Sequence, residues 1–166
     1  MKKTLIVIDM QNDFIDGSLG TAEAVKIVPN VRKKIEEYRS NGDEIIFTRD
    51  THGEDYLSTP EGKKLPVVHC VKNTHGWQIA DELDVPDAIH IDKPSFGYTH
   101  WDKFCFEKIE LAGLCTDICV VSNALILKAL FPNAEISVDS ACCAGVTPET
   151  HNSALTTMKM CQIDVV

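Results

Sequence analysis

Three residues that can support nucleophilic catalysis lie at the ends of hydrophobic runs. Asp9 follows LIVI, Lys93 ends AIHIDK, and Cys119 lies just after KIELAGLC. A cysteine in the first turn of a helix is near the positive end of the helix dipole, which favours the thiolate. A nearby lysine would lower the thiol pKa further, and a carboxylate can take or return a proton. The backbone N–H groups of Cys115 and Cys119 could receive a developing oxyanion.

Each of these side chains also has an explanation that needs no chemistry. A cysteine in an apolar helix is usually packed in the core, and a lysine at a strand end is usually solvated. An aspartate at the same place often caps a turn. The case for catalysis therefore depends on whether the fold brings the three side chains together.

A second group has the side chains of a metal site. Asp50 and His52 form a D-x-H motif, and His69 lies farther along an irregular segment. In an extended chain both side chains of D-x-H project to the same side, so they can share one ion. One carboxylate and two imidazoles suit Zn²⁺, with Fe or Mn as alternatives, although His52 and His69 can also be ordinary histidines. Ordinary roles are expected for the remaining histidines: His75, His90, His100 and His151.

The elements that would position these groups alternate between short strands and helices. The segment TLIVIDM is continuously hydrophobic, which predicts a strand buried on both faces. The predicted strands cover residues 4–10, 44–50, 88–94, 108–115, 134–140 and 163–166. The predicted helices cover residues 21–42, 116–132 and 147–161. Strands separated by helices imply right-handed crossovers and an α/β fold, with a parallel sheet covered by helices on both faces.

The carboxyl ends of the predicted strands are where a ligand site is expected. Asp9, Asp50 and Lys93 end the first three strands, and the fourth ends near residues 113–115. We therefore expect these groups, together with Cys119, to meet at one edge of the sheet. The segment 51–77 is long and rich in His, Gly and Pro, and such a loop is usually functional or disordered.

Composition limits the class of protein. A chain of 166 residues with 44% hydrophobic residues predicts one globular domain spanning residues 1–166. The net charge of −9 argues against nucleic acid or an anionic membrane as a partner, because both need a basic surface. No apolar run is long enough to span a membrane. Seven cysteines without a repeated spacing predict a reduced, cytoplasmic protein.

Five segments resemble, in order, the motifs of the isochorismatase-like cysteine hydrolases. They are LIVIDMQNDF, FTRDTH, VVHCVKNT, KPSF and GLCTDICV. The D-x-H motif and the later HCV bring the sequence nearest to the nicotinamidase/pyrazinamidase branch of that family. The resemblance covers essentially the whole chain and implies a three-layer α/β/α sandwich around a six-stranded parallel sheet.

The resemblance also implies roles for individual residues. It assigns Asp9, Lys93 and Cys119 as the catalytic triad. It also implies a cis peptide bond between Leu114 and Cys115, the oxyanion-hole residue. The implied metal ligands are Asp50, His52 and His69. The implied pocket walls are Phe14 and Leu19.

The sequence departs from the nicotinamidase pattern around the pocket. A tryptophan commonly stands three residues before the second metal histidine in that branch, and here the position is Pro66. The aromatic residues that can replace it are Trp77, Phe96, Tyr98 and Trp101. Phe96 and Tyr98 follow the catalytic lysine, in a stretch that matches the branch poorly, and we include both among the predicted substrate-binding residues.

The predicted function is a cysteine amidohydrolase. It would convert a small, nicotinamide-like carboxamide to the acid and ammonia through a thioester on Cys119, and it would form a homo-oligomer as family members often do. One alternative is a sibling hydrolase that acts on another amide, a ureido compound or a vinyl ether. The other is a non-catalytic, redox-sensing member, because Cys115 and Cys119 are one helical turn apart.

Overall fold

A computed structural model describes residues 3–166, and its centre is a six-stranded sheet in which every strand is parallel. The strands are β1 (Lys3–Ile8), β2 (Glu44–Asp50), β3 (Ile89–Lys93), β4 (Lys108–Leu114), β5 (Glu135–Ala144) and β6 (Asp164–Val165). Their order across the sheet is β3-β2-β1-β4-β5-β6, so β1 and β4 occupy its centre. Residues Leu5 to Ile8 of β1 are fully buried, as the continuous hydrophobic run predicts.

Five α-helices connect and cover the strands. They are α1 (Asn12–Ile15), α2 (Ala22–Asn41), α3 (Pro60–Lys64), α4 (Val121–Leu130) and α5 (Pro148–Met160). Helix α2 begins where the Thr21 hydroxyl accepts a hydrogen bond from Ala24 N–H, and it ends at Gly42 in the left-handed conformation. Helix α5 begins with a capping box between Thr147 and Thr150.

Two hydrophobic cores lie on opposite faces of the sheet. On one face α2 packs Val31 and Ile35 against strand residues such as Val7. On the other face α4 and α5 pack Leu127 and Met158 into a second core. The predicted three-layer α/β/α fold is confirmed, and most apolar side chains of α4 pack against the core, whereas Leu130 at its end is exposed. Within residues 3–166 no helix is long and apolar enough to cross a membrane.

The differences from the predicted elements are local. Strand β5 continues to Ala144, four residues beyond its predicted end, after a register shift against β4. The predicted helix at 116–132 begins with a π-helical turn, Thr116–Val120, and Cys115 is its N-cap residue. The short helices α1 and α3 form in segments predicted to be loops, where few residues are available to show a helical period.

Candidate active site

The carboxylate of Asp9 is turned into the site by an unusual backbone conformation. Asp9 directly follows β1, with a φ of 48°, in the left-handed region that side-chain-bearing residues seldom adopt. Its N–H donates to the Thr48 carbonyl at 3.2 Å, and the Thr48 hydroxyl donates to Asp9 Oδ1 at 2.6 Å. The neighbouring strand β2 therefore holds both the backbone and the side chain of Asp9, and Asp9 is completely buried.

Lys93 contacts both of the other predicted catalytic residues. It ends β3 directly opposite Asp50 in the register of β2 and β3, and its side chain is 0% exposed. Lys93 Nζ lies 2.6 Å from Asp9 Oδ2 and 3.4 Å from Cys119 Sγ, and it donates to the Ser95 carbonyl at 3.1 Å. The sheet edge thus brings together the three side chains that the sequence analysis grouped.

The surroundings set the protonation of these groups. Burial raises the pKa of the Asp9 carboxyl, with Lys93 opposing it, and the charges of Asp9 and Cys119 raise the pKa of Lys93 despite its burial. Burial and Asp9 also raise the pKa of the Cys119 thiol well above its ordinary value. The expectation of a lowered thiol pKa is wrong for this structure, because burial outweighs the effect of Lys93. A thiol whose pKa is raised needs a nearby base to become a nucleophile, and Asp9 is one of the groups that act on Cys119.

The turn before Cys119 has the form expected for an oxyanion hole. The Leu114–Cys115 peptide bond is cis, as the resemblance implies. Gly113 precedes it with a φ of 126°, and a Cβ there would lie 2.0 Å from the Ile8 carbonyl oxygen. Only glycine lets β4 approach β1 this closely. The Cys115 carbonyl then accepts from Ile118 N–H and Val120 N–H, both at 3.1 Å, which closes the π-helical turn.

The predicted metal ligands also meet at this edge. Asp50 Oδ2 lies 2.9 Å from His52 Nε2 and 3.5 Å from His69 Nε2. The structure adds Glu61 from α3, whose Oε1 lies 3.7 Å from His52 Nε2. One ligand atom from each of these four residues lies within 4.8 Å of the others.

The chemistry of the four side chains fits a divalent ion. Burial works against the charge of Asp50, but His52, His69 and Lys93 outweigh it and hold the pKa of that carboxyl below its usual range. Asp50 Oδ1 is buried and has no hydrogen-bond partner among residues 3–166. Lys93 Nζ lies 3.8 Å from that oxygen, which makes an ion pair but is too long for a hydrogen bond. Two imidazoles and two carboxylates are ligands that Zn²⁺, Fe²⁺ and Mn²⁺ accept.

The polar loop after Asp9 braces the metal side of the site. The Gln11 side-chain amide donates to the carbonyls of Asp50 and Trp77 and accepts from Asp50 N–H, each at 2.8 Å. Asp13 accepts from Cys70 N–H at 2.8 Å. Because Cys70 follows His69, the loop holds the backbone beside two of the candidate ligands.

A cavity of about 160 Å³ opens onto both groups of residues. A single aromatic ring fits a space of roughly this size, since an engineered cavity of about 150 Å³ in another protein holds benzene. The lining residues are Phe14, Leu19, Thr21, Asp50, Glu61, Leu65, His69, Phe96, Cys115, Ile118, Cys119 and Val146. None of them is Arg or Lys, and the polar groups among them are two carboxylates, two thiols, an imidazole and a hydroxyl.

The cavity selects among the predicted wall residues. Phe14, whose ring centroid lies 5.5 Å from that of His69, lines it together with Leu19 and Phe96. Tyr98 does not line it, because its ring packs edge-on against Trp101 at 5.0 Å. Trp101 is fully buried, and Trp77 is buried beneath Arg49. Of the four aromatic candidates for the missing wall, only Phe96 reaches the cavity.

The isochorismatase domain family matches residues 3–166. The chain belongs to that family. Its fold superposes on nicotinamidase/pyrazinamidase PncA from Bacillus subtilis with a TM-score of 0.87, at 26% identity over 100% of both chains. It superposes on the zinc complex of pyrazinamidase from Pyrococcus horikoshii with a TM-score of 0.84, at 29% identity over 100% of this chain and 99% of that one. A probable inactive nicotinamidase of Arabidopsis thaliana is 32% identical over 93% of this chain and 87% of that protein.

Glu61 is the residue of this isochorismatase-family site that the sequence analysis missed. It lies in the irregular segment, where neither a strand end nor a D-x-H spacing marks it. The TPEG sequence does contain a signal for its position, since the Thr59 hydroxyl caps α3 and Pro60 begins it. That signal predicts a short helix but does not indicate what the helix faces.

Proposed function

We propose that the protein is a cysteine amidohydrolase that converts a small, neutral, ring-bearing carboxamide to the carboxylic acid and ammonia. The nicotinamidase and pyrazinamidase relatives indicate an amidohydrolase. One observation supports the mechanism most strongly. Lys93 Nζ contacts both Asp9 and Cys119, and Cys119 lines a cavity together with Asp50 and His69.

In the first half of the proposed reaction, Cys119 Sγ attacks the carboxamide carbon while its proton passes to Asp9. The N–H groups of Cys115 and Cys119 donate hydrogen bonds to the oxyanion that forms. The C–N bond then breaks, Asp9 returns the proton to the departing nitrogen, and ammonia leaves behind a thioester on Cys119. Lys93 stays protonated and stabilises the Asp9 carboxylate and the developing thiolate.

In the second half, water enters the place that ammonia vacated. Asp9 removes a proton from this water as its oxygen attacks the thioester carbon. The tetrahedral intermediate uses the same two N–H groups, and its collapse breaks the C–S bond. Asp9 returns the proton to Cys119, so the enzyme is regenerated and the acid is released.

Asp50, His52, Glu61 and His69 would hold the metal ion, with zinc as the leading candidate. When bound, the ion supplies a Lewis acid that can hold a ring nitrogen of the substrate. Phe14 and Phe96 would hold the two faces of the ring, and Leu65 and Val146 would close the outer side. The lining residues include no Arg or Lys that could pair with a carboxylate on the substrate, so a neutral ring carboxamide fits the cavity better.

An ammonia-release assay tests this proposal. The purified protein, loaded with zinc, is given nicotinamide, pyrazinamide and an N-carbamoyl amino acid as separate substrates. We expect release from the two neutral ring carboxamides, none from the carbamoyl acid, and a thioester adduct on Cys119 by mass spectrometry after acid quenching. Cys119→Ala is the matched control and should release no ammonia. A zinc-loaded protein that hydrolyses neither ring carboxamide would overturn the proposal.

Three further expectations accompany the proposed function. All seven cysteines are free thiols, which supports the reducing cytoplasm as the place of action. The organisation as one domain and the formation of a homo-oligomer remain predictions. Sedimentation of the purified protein measures the oligomeric state directly.

A further inference from the structure

The two residues that follow Cys115 make hydrogen bonds that the proposed mechanism does not use. Thr116 is completely buried, and its hydroxyl shares a hydrogen bond of 2.7 Å with His151 Nδ1 in α5. Thr116 lies between Cys115 and Cys119, whose N–H groups form the proposed oxyanion hole. A contact from Thr116 to another helix therefore acts directly on the turn that sets the positions of those N–H groups.

Asp117 accepts a second hydrogen bond, from the chain just before α5. Its two carboxylate oxygens each lie 3.2 Å from Val146 N–H, in the connection between β5 and α5. Val146 is one of the residues that line the cavity. The turn of the proposed oxyanion hole is thus joined at two successive residues to α5 and to the connection that precedes it.

The segment around His151 is packed closely enough to hold the backbone of that residue in place. A Cβ on Gly145 would lie 2.8 Å from His151 N and 2.9 Å from its Cα, so the chain approaches the first turn of α5 as only glycine allows. The capping box of Thr147 and Thr150 fixes the start of the same helix. The backbone of His151 is therefore fixed at a position from which its ring reaches the Thr116 hydroxyl.

We propose that Thr116 and His151 are positioning residues for the oxyanion hole, acting through their shared hydrogen bond. The bond fixes the side chain of Thr116 and, through it, the backbone between Cys115 and Cys119. Neither residue touches the reacting atoms. The hydrogen bond affects how the two N–H donors are aligned with the oxyanion. Misplacement of a catalytic group by about 1 Å can cost on the order of 100-fold in rate.

Kinetics of single variants test this inference. Thr116→Val keeps the shape of the side chain and removes the hydroxyl, and His151→Phe removes the ring nitrogens. We expect each to lower kcat by about 10- to 100-fold with KM changed by less than about threefold, because the donors act mainly in the transition state. Thr116→Ser keeps the hydroxyl and should restore most of the activity. Thr157→Val on the exposed side of α5 is the matched control.

A double-variant cycle asks whether the two residues act through one bond. If they do, Thr116→Val combined with His151→Phe should lower kcat by no more than about threefold beyond the worse single variant. Independent losses that multiply would contradict the shared bond.

Alkylation of Cys119 by iodoacetamide separates positioning from general damage. That reaction needs the thiol but no oxyanion hole, so its rate, followed by mass spectrometry of the Cys119 peptide, should be unchanged in Thr116→Val. An alkylation rate that falls in parallel with kcat would show a merely structural role and overturn the inference.

The inference rests on the proposed function, but the two fail differently. An inactive wild-type protein removes the proposed function, whereas an active one with unaffected variants removes only the positioning role.

Discussion

Two clusters in this protein contain the same charges, two carboxylates and one lysine, in neighbouring parts of the same sheet. In the candidate active site Lys93 lies between Asp9 and Asp50 at the ends of β1 and β2. In the second cluster Lys34 of α2 lies between Glu110 of β4 and Asp139 of β5, 2.7 Å from each. Charge composition alone would give the two clusters the same role.

The second cluster, Lys34–Glu110–Asp139, leaves no carboxylate oxygen without a partner. Lys34 binds one oxygen of each acid, the Tyr38 hydroxyl donates to Glu110 Oε2 at 2.6 Å, and Ala141 N–H donates to Asp139 Oδ1 at 2.9 Å. The side chains of the three charged residues are 15–16% exposed, so water still screens them. This arrangement joins α2 to the sheet and has nothing left to bind.

The active-site cluster differs in burial and in what it leaves unsatisfied. Lys93 and Asp9 are 0% exposed, and Asp50 Oδ1 has no hydrogen-bond partner in the described chain. Asp9 Oδ2 has its ion pair with Lys93 and no aligned hydrogen bond. Buried carboxylate oxygens without a hydrogen bond lower the stability of the fold. From this difference we infer that buried charge with incomplete partners marks the candidate chemical site, and variants of the two clusters can test the inference.

The largest expected difference is in catalysis. Lys93→Met should lower kcat/KM for the neutral carboxamide by at least about 10³-fold, because it removes the ammonium 3.4 Å from Cys119 Sγ and leaves Asp9 to take up a proton. Lys34→Met, its counterpart in the second cluster, should stay within about twofold of wild type. Steady-state ammonia release measures both. Comparable losses in the two variants would mean that the clusters do not differ in the way proposed.

Substitution of one acid in each cluster, Asp50 or Asp139, should have different effects on zinc affinity. Asp50→Asn removes a charged ligand, and we expect zinc affinity to fall by more than about 100-fold, beyond the loss typical of an outer-shell change. Asp139→Asn should leave zinc affinity unchanged. Competition with a fluorescent chelator gives both constants. Undiminished zinc binding by Asp50→Asn would remove that carboxylate from the metal site, whatever its effect on activity.

The sequence predicts the active-site cluster far better than the second one, for a physical reason. Carboxyl ends of parallel strands must share an edge, so Asp9, Asp50 and Lys93 follow from the strand assignment alone. Lys34 occupies a helix position typical of a solvated lysine, and only the packing of α2 on the sheet reveals its partners. Glu61 was missed for the same reason, because the irregular segment around α3 follows no period.

The motifs also do not predict how deeply each side chain is buried. A cysteine early in a helix beside a lysine indicates a lowered thiol pKa, yet burial and Asp9 reverse the direction. The choice of Phe96 over Tyr98 is similar, because the loop after β3 determines which ring faces the cavity. Strand ends were predictable from periodicity, whereas exposure and loop conformation required the structure.

The stability of the fold should depend on Lys34, although catalysis should not. Lys34→Met leaves Glu110 and Asp139 facing each other without a cation, and we expect it to lower the free energy of unfolding by about 2 kcal/mol. Urea unfolding at pH 7 measures this change. Lys33→Met, at an exposed neighbouring position of α2, is the matched control and should change stability by less than about 0.5 kcal/mol. An equal effect of the two substitutions would mean that the second cluster contributes nothing specific.

The smallest predicted effect depends on pH. Burial works against the charge of Asp139, but Lys34 outweighs it and holds the pKa of that carboxyl below its usual value. Its stabilisation is therefore complete above the unfolded-state pKa of about 4 and is lost as the pH falls through the lower folded-state pKa. Asp139→Asn should be less stable than wild type by about 1 kcal/mol at pH 7, and the difference should shrink below about pH 4. Urea unfolding of both proteins from pH 7 to pH 3 measures it, and a difference that stayed constant over that range would show that Asp139 stabilises the fold without its charge.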